Sequence, residues 1–238
     1  MNDLSNSLNN KLGSDEIRVT PFSLDDEELL PLEIARQWLS DEERKRADAF
    51  HFENHGERFI RGRAVVRKLL SDYLDVTPDS LTFGTGERGK PFLIGEDLHF
   101  NLSHSLDRAV VAISRLPSIG IDIECFSRVV DIGGLSRRCF RDSEIKRLDN
   151  LGNDEKQRAF FWTWTAKEAR MKATGEGFSL EPKKIEIEFE GEWPKACLEP
   201  LDPVAYVLPA LFDDKAVACT VAATSPFRIG MAKVRSVL

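Results

Sequence analysis

Two passages of helical periodicity, each followed by a run of short strands, constrain this 238-residue chain more than anything else in it. The first passage opens at Ser40-Asp-Glu-Glu43. That is a capping-box spelling, in which a Ser and a Glu satisfy each other's free backbone amides, and it predicts a helix to about Phe50. Phe59, Val66, Leu69, Leu70 and Tyr73 then recur at helical spacing and predict a second helix. It ends before Thr77-Pro78, where Thr77 is placed to cap a short turn carrying Leu81. After Gly89 the period changes. "PFLI", "LHFNLS", "RAVVAIS" and "GIDIE" read as strands joined by short turns, the pattern of an antiparallel meander.

The order then repeats. "RDSEIKRLDNL" and the long "NDEKQRAFFWTWTAKEARMKATGEG" read as helices, the second ending at Gly175 or Gly177. "KKIEIEFEG", "VAYVLPA" and "KAVACTVAAT" follow as strands. No residue-level repeat aligns the two passages; only the element order recurs. The expectation is an α+β protein, a pseudo-twofold pair of similar halves, each a small antiparallel sheet packed with helices. Residues 1–15 are expected to be a flexible leader, 16–117 the N-terminal half and 118–238 the C-terminal half. A cleft between the halves is the expected place for a ligand.

Composition narrows the function. No apolar run approaches bilayer length, so no membrane role is expected. The opening "MNDLSNSLNNKLGSDE" has no apolar signal core, which points to the cytoplasm. Four scattered cysteines, none in a Cys-x-x-Cys pair, give no zinc or redox motif. A net charge of −7 argues against broad nucleic-acid binding but not against a local basic pocket. Residues 15–43 carry ten acids and two arginines, whereas Arg44, Lys45, Arg46, Arg58, Arg61, Arg63, Arg67 and Lys68 crowd the next 25 positions.

Four motifs can carry chemistry. "GTGERGKPF", residues 84–92, spells both a dinucleotide turn and most of a P-loop. Both readings fail on context. Pro91 has no hydroxyl for Mg²⁺, disfavours a helical Lys90, and leads into a strand where both motifs need a helix. A turn with a cation at its bend remains. In "GIDIE", Ile121 and Ile123 fall on one strand face and Asp122 and Glu124 on the other. Two such carboxylates suit Mg²⁺, and they also suit a polar outer face. In "FNLSHS", Asn101 and Ser103 share a face and His104 takes the other, as a phosphate donor or a turn residue. In "WTWTAKEARMK", Trp164, Glu168 and Lys172 line one helix face, either as a surface ion pair or as a carboxylate–ammonium corner able to move a proton and hold a phosphate.

In order and spacing, Gly89-Lys90-Pro91, Phe100 to Ser105, Gly120 to Glu124, and Trp164 to Ala169 with Lys172 resemble the 4′-phosphopantetheinyl transferases. The likeness is to their long, monomeric, surfactin-synthetase-activating type, over roughly residues 39–180. It implies transfer of the phosphopantetheine arm of coenzyme A to a serine of an acyl or peptidyl carrier protein, releasing adenosine 3′,5′-bisphosphate. By that resemblance Asp122, Glu124 and Glu168 would hold Mg²⁺ (or Mn²⁺), and Glu168 would be the base. Lys172 would hold the pyrophosphate and assist the leaving group, and Asp122 would count with Glu168 and Lys172 among the catalytic residues. Ser103 and His104 would touch the CoA phosphates, Lys90 and Pro91 would border the adenine, and Arg44 and Arg46 would meet the 3′-phosphate. Glu43 falls where the family often has a cation. The carrier is expected to be acidic, and the stretch holding Arg137, Arg138 and Arg141 is offered as its docking surface. The competing expectation is a CoA-binding interaction protein that keeps the fold without transfer.

Overall fold

The structure, a computed structural model, describes residues 12–175, 177, 180–200, 205–212 and 214–234. Most of the expected leader, residues 1–11, lies outside them. The chain runs β1 (Glu16–Ser23), α1 (Leu32–Trp38), α2 (Asp41–Asp48), α3 (Glu53–Leu74), β2 (Phe83–Thr85), β3 (Pro91–Leu93), β4 (His99–Ser105), β5 (Arg108–Ser114) and β6 (Ile119–Cys125). It continues through α4 (Ile132–Cys139), α5 (Asp142–Asp149), α6 (Asn153–Thr174), β7 (Glu186–Glu190), β8 (Trp193–Glu199), β9 (Tyr206–Pro209), β10 (Val217–Ala223) and β11 (Arg228–Met231). The architecture is α+β, as the element order predicts.

Two sheets form the centre. One has strand order β11-β1-β5-β4, the other β6-β10-β9, and β2-β3 and β7-β8 are separate hairpins. Strand alternation fixes the layers. Ala109, Val111 and Ile113 of β5 face the core under α3. Val110 and Ala112 face the other way, with Ile17 and Val19, against Ile121, Ile123, Cys219 and Val221 of the second sheet. Ala166, Ala169 and Ala173 of α6 cover that sheet's outer face with Val207 and Ala222. The order is therefore helix, sheet, sheet, helix, and α3 and α6 are each 22 residues long. One strand from beyond residue 117, β11, pairs in parallel with β1 of the first sheet.

Of the meander expected from β3 to β6, only the antiparallel β4–β5 pair forms. β3 pairs with β2, and β6 takes its ladder from β10. The reason is the other edge of β6. Side chains on alternate residues of β4 occupy it: Ile121 N donates to Asn101 Oδ1 (2.8 Å), Ile123 N to Ser103 Oγ (3.4 Å) and Cys125 N to Ser105 Oγ (3.1 Å). Those amides are satisfied without a backbone partner, so β4 lies beside β6 but not in one sheet with it.

The helix boundaries follow local chemistry. Ser40 and Glu43 make the full capping box of α2. α3 ends on left-handed Asp75, and α6 on left-handed Gly175 (φ 71°). Thr77 occupies the N-cap of the 3₁₀ turn Pro78–Ser80 but makes no cap bond; its side chain pairs with Asp79.

Glu43 explains itself here. Beyond its cap role it accepts from Arg63 Nε (2.5 Å) and Arg67 Nε (2.9 Å), and both guanidinium groups lie over the Phe83 ring. Burial pushes its carboxyl up, but Arg63, Arg67 and the Ser40 amide outweigh that and hold it below the ordinary range. Glu43→Gln keeps the cap and leaves two half-neutralised arginines, so it is expected to cost about 1–3 kcal/mol of stability, read by urea unfolding.

Candidate active site

All seven residues of β6 are buried, the carboxylates included: Asp122 is 6% exposed and Glu124 7%. Buried carboxylates need partners. Asp122 Oδ1 accepts from Lys172 Nζ (2.6 Å) and Ser103 Oγ (2.8 Å). Its Oδ2 is buried and has no hydrogen-bond partner. Glu124 Oε2 accepts from Ser105 Oγ (2.5 Å), while Arg128 pairs with Oε1. Burial and the neighbouring Asp122 raise the Glu124 carboxyl above its ordinary value despite Ser105 and Arg128.

Gly120 lets α6 close on this strand. A Cβ there would lie 2.2 Å from Ala169 O and 2.4 Å from Ala173 N. With the helix this close, Lys172 Nζ reaches Asp122, Ser103 Oγ (3.0 Å) and Ile121 O (3.1 Å). One turn earlier stands Glu168. Its carboxyl is raised to about 7 by burial and by Asp122, Lys172 opposing and Glu124 adding. Among the described residues no group of three or more His, Cys, Asp or Glu side chains is arranged to hold a metal ion. Asp122 presents one oxygen to the Lys172 ammonium, and the other is the orphan.

A cleft of about 460 Å³ is lined by Arg88, Lys90, Pro91, Phe100, Ile119 and Gly175 among others; Asp122, Glu124, Glu168 and Lys172 are not on its walls. It joins the glycine loop to the end of α6. Lys90 and Pro91 lie on a wall of this cleft. Ser103 is turned inward to Asp122 and Lys172. His104 is on the opposite, exposed side of β4, as alternation demands; packing of its ring, with Lys172 and Arg58 nearby, holds it below the ordinary imidazole value despite Asp122. Arg44 and Arg46 do not line the cleft. Arg44 donates to the Leu39 and Arg36 carbonyls at the end of α1 and to Asp41 (2.7 Å), and Arg46 lies over Phe59. Of the proposed docking arginines, Arg137 and Arg138 are exposed, whereas Arg141 is tied to Glu186 (2.6 Å) and Glu199 (2.5 Å).

Three residues that the sequence left without a role do structural work. Ser105 and Asn101 complete the seam along β6, and the period-2 spelling Asn-x-Ser-x-Ser is the signal that marks it. Lys167, beside Glu168 but on the far helix face, forms a buried ion pair with Glu144 (2.7 Å) and donates to Pro182 O and Ile185 O.

Residues 118–219 match the family described as the 4′-phosphopantetheinyl transferase superfamily, and residues 29–115 match 4′-phosphopantetheinyl transferase, N-terminal. The chain is 39% identical over 178 residues to 4′-phosphopantetheinyl transferase HetI of Nostoc sp., covering 73% of this chain and 74% of that one. The chain belongs to the 4′-phosphopantetheinyl transferase superfamily. It is also 37% identical to the transferase gsp of Aneurinibacillus migulanus, over 52% of this chain and 50% of that one. With the transferase Sfp of Bacillus subtilis it shares 31% identity, over 60% of this chain and 63% of its relative. In this chain Glu43 is committed to a structural network with Arg63 and Arg67.

Proposed function

We propose that this enzyme transfers the 4′-phosphopantetheine group of coenzyme A to a serine hydroxyl of an apo carrier protein and releases adenosine 3′,5′-bisphosphate. The observation that carries the proposal is the Asp122–Lys172–Ser103 cluster, with Glu168 one helical turn away on the same face of α6. Glu168 takes the proton from the serine hydroxyl. Without a metal that carboxyl stands at about 7; holding a cation would bring it down and keep it ionised at neutral pH, able to accept the proton directly or through water. The hydroxyl oxygen bonds to the pantetheine-bearing phosphorus as the bond to the bridging pyrophosphate oxygen breaks. Lys172 offsets the charge that gathers on that oxygen.

Asp122, Glu124 and Glu168 would hold Mg²⁺, with Mn²⁺ as the alternative; all three offer hard oxygens, and the orphaned, buried Oδ2 of Asp122 fits a cation's approach. When bound, the ion would neutralise pyrophosphate charge. Ser103 orients Asp122 and Lys172 next to the phosphates, and His104 faces the solvent side of β4 as a phosphate donor. Lys90 and Pro91 border the adenine in the cleft. Arg46 has no carboxylate partner among the described residues, so of the two arginines on α2 it is the freer to meet the 3′-phosphate. The working unit is two halves, 16–117 and 118–238, a monomer acting in the cytoplasm, with Lys90 and Ser103 drawn from the first half and the acids from the second. No helix among the described residues is long and apolar enough to cross a membrane.

Incubation with coenzyme A, Mg²⁺ and several apo acyl and peptidyl carrier proteins tests the reading. A carrier mass increased by one phosphopantetheine group is expected. No adduct on any carrier, together with no CoA binding by calorimetry, overturns it. Arg137 and Arg138 are exposed cations suited to an acidic carrier. Reversing both to Glu is expected to raise KM for the carrier about tenfold or more, with KM for CoA unchanged. An unchanged carrier KM removes that surface from the account.

A further inference from the structure

The glycine loop has a role that its phosphate-loop spelling conceals. Gly86 N donates to Lys90 O (2.9 Å) and Gly89 N to Gly86 O (2.9 Å), with Gly89 at φ 82°, so the loop closes on itself. The closed loop sends the Lys90 side chain across the molecule. Lys90 Nζ donates to Lys172 O (2.7 Å), in the last turn of α6, and to Ile119 O (2.8 Å), at the start of β6. Arg88, from the same loop, reaches Gly175 O (3.5 Å). The last carbonyls of a helix have no partner within it and mark its negative end. Here two cations from a loop 80 or more residues away in sequence supply what the helix lacks, Lys90 at 82 residues from Lys172 and Arg88 at 87 from Gly175.

The residue so held is the one that reaches Asp122. Lys172 is fixed at its backbone by Lys90 and at its ammonium by Asp122 Oδ1, Ser103 and Ile121 O. Lys90 and Lys172 thus rest on alternate carbonyls, Ile119 and Ile121, along one edge of β6. On its outer side Lys90 lines the cleft.

We propose that Lys90 is a positioning residue that caps α6 from the other half of the molecule and sets where Lys172 stands, so that the glycine loop couples the ligand cleft to the reacting groups. This rests on the role proposed above for Lys172. Burial and the nearby Lys172 charge disfavour the Lys90 ammonium and bring it down to about 8, so what holds the side chain in place is its two carbonyl partners. An ammonium has three N–H groups, and two are spent on carbonyls, so contact with a ligand in the cleft is at most the third.

The test compares Lys90→Met, Lys90→Gln and Lys90→Arg in the full chain by two independent measurements. The first is amide hydrogen exchange over residues 168–175 in the ligand-free protein. Exchange is expected to quicken about tenfold or more in the Met and Gln variants and to stay near wild type in Arg, which can still bridge two carbonyls. The second is steady-state kinetics. In Met and Gln, kcat at saturating CoA is expected to fall about tenfold or more, beyond any rise in KM from the place of Lys90 beside the adenine, and Arg to restore most of kcat. A raised KM with kcat unchanged makes Lys90 a ligand contact and overturns the proposal. So does unchanged exchange at the end of α6, whichever way the kinetics fall. Gln stands in if Met does not fold. If the wild type transfers nothing to any carrier, the transfer reading fails while the exchange comparison still decides whether Lys90 caps the helix.

Discussion

Glu168→Gln is expected to lower kcat for transfer by about 10²–10⁴, the range for loss of a positioned base, and to make the metal-free protein more stable at neutral pH. The two effects have one origin. Burial and Asp122 raise the Glu168 carboxyl from an ordinary 4.5 to about 7. Between those values the folded state keeps a proton that the unfolded chain has lost. Stability therefore falls as pH rises through that window. Wild-type protein at pH 8 carries the whole cost, and the amide carries none. Thermal melts in a chelator should show Glu168→Gln with the higher Tm at pH 8, by about 2–4 °C for each kcal/mol relieved at this chain size. The gap should shrink toward zero below pH 4.5. Mg²⁺ should narrow it at pH 8 by stabilising only the carboxylate form. Full turnover in the variant, or no gain in Tm at pH 8, would sink the assignment of Glu168 as a buried, proton-accepting acid.

The sequence was most legible where local rules act alone. Ser40 and Glu43 gave the start of α2, Gly175 gave the end of α6, and period-2 alternation put Asp122 and Glu124 on one face. Helical spacing made it legible that Glu168 and Lys172 share a face of α6, while the roles expected of them came from the family resemblance. What could not be read was which strand lies beside which. The meander expectation failed at β6 because that strand satisfies its edge with side chains, a choice that local propensity does not encode. β1, α1, β2, α4, β8 and β11 also escaped notice. β1 lies in an acid-rich stretch, and its pairing with β11 joins residues more than 200 positions apart. The role of Glu43 was hidden for a similar reason, since Arg63 and Arg67 meet it only once α2 has folded against α3.

Gly120→Ala is expected to reduce kcat about 10²-fold and to cost about 1–3 kcal/mol of stability, although it adds one methyl group to a strand that has no unusual backbone angle. The cause is what the methyl would meet. Ala169 O and Ala173 N are backbone atoms of α6, at 2.2 and 2.4 Å, and Lys172 Cβ is at 2.9 Å. A rotamer change cannot relieve contacts with backbone, so the helix itself must move away from β6. Glu168 and Lys172 move with it, and Lys172 loses reach to Asp122, which is then left buried without its cation. Truncating side chains should not repair this: Ala169→Gly or Ala173→Gly, added to Gly120→Ala, leaves the clashing oxygen and nitrogen in place. Gly84 supplies the contrast. A Cβ there would meet the Phe92 ring at 2.4 Å, but that ring is the end of an exposed side chain. Gly84→Ala should therefore fold and retain kcat within about threefold, the ring swinging aside. Urea unfolding and kcat measured on both variants separate the two cases. Equal behaviour of Gly84→Ala and Gly120→Ala would mean that close approach of α6 to β6 does not set the position of the reacting groups.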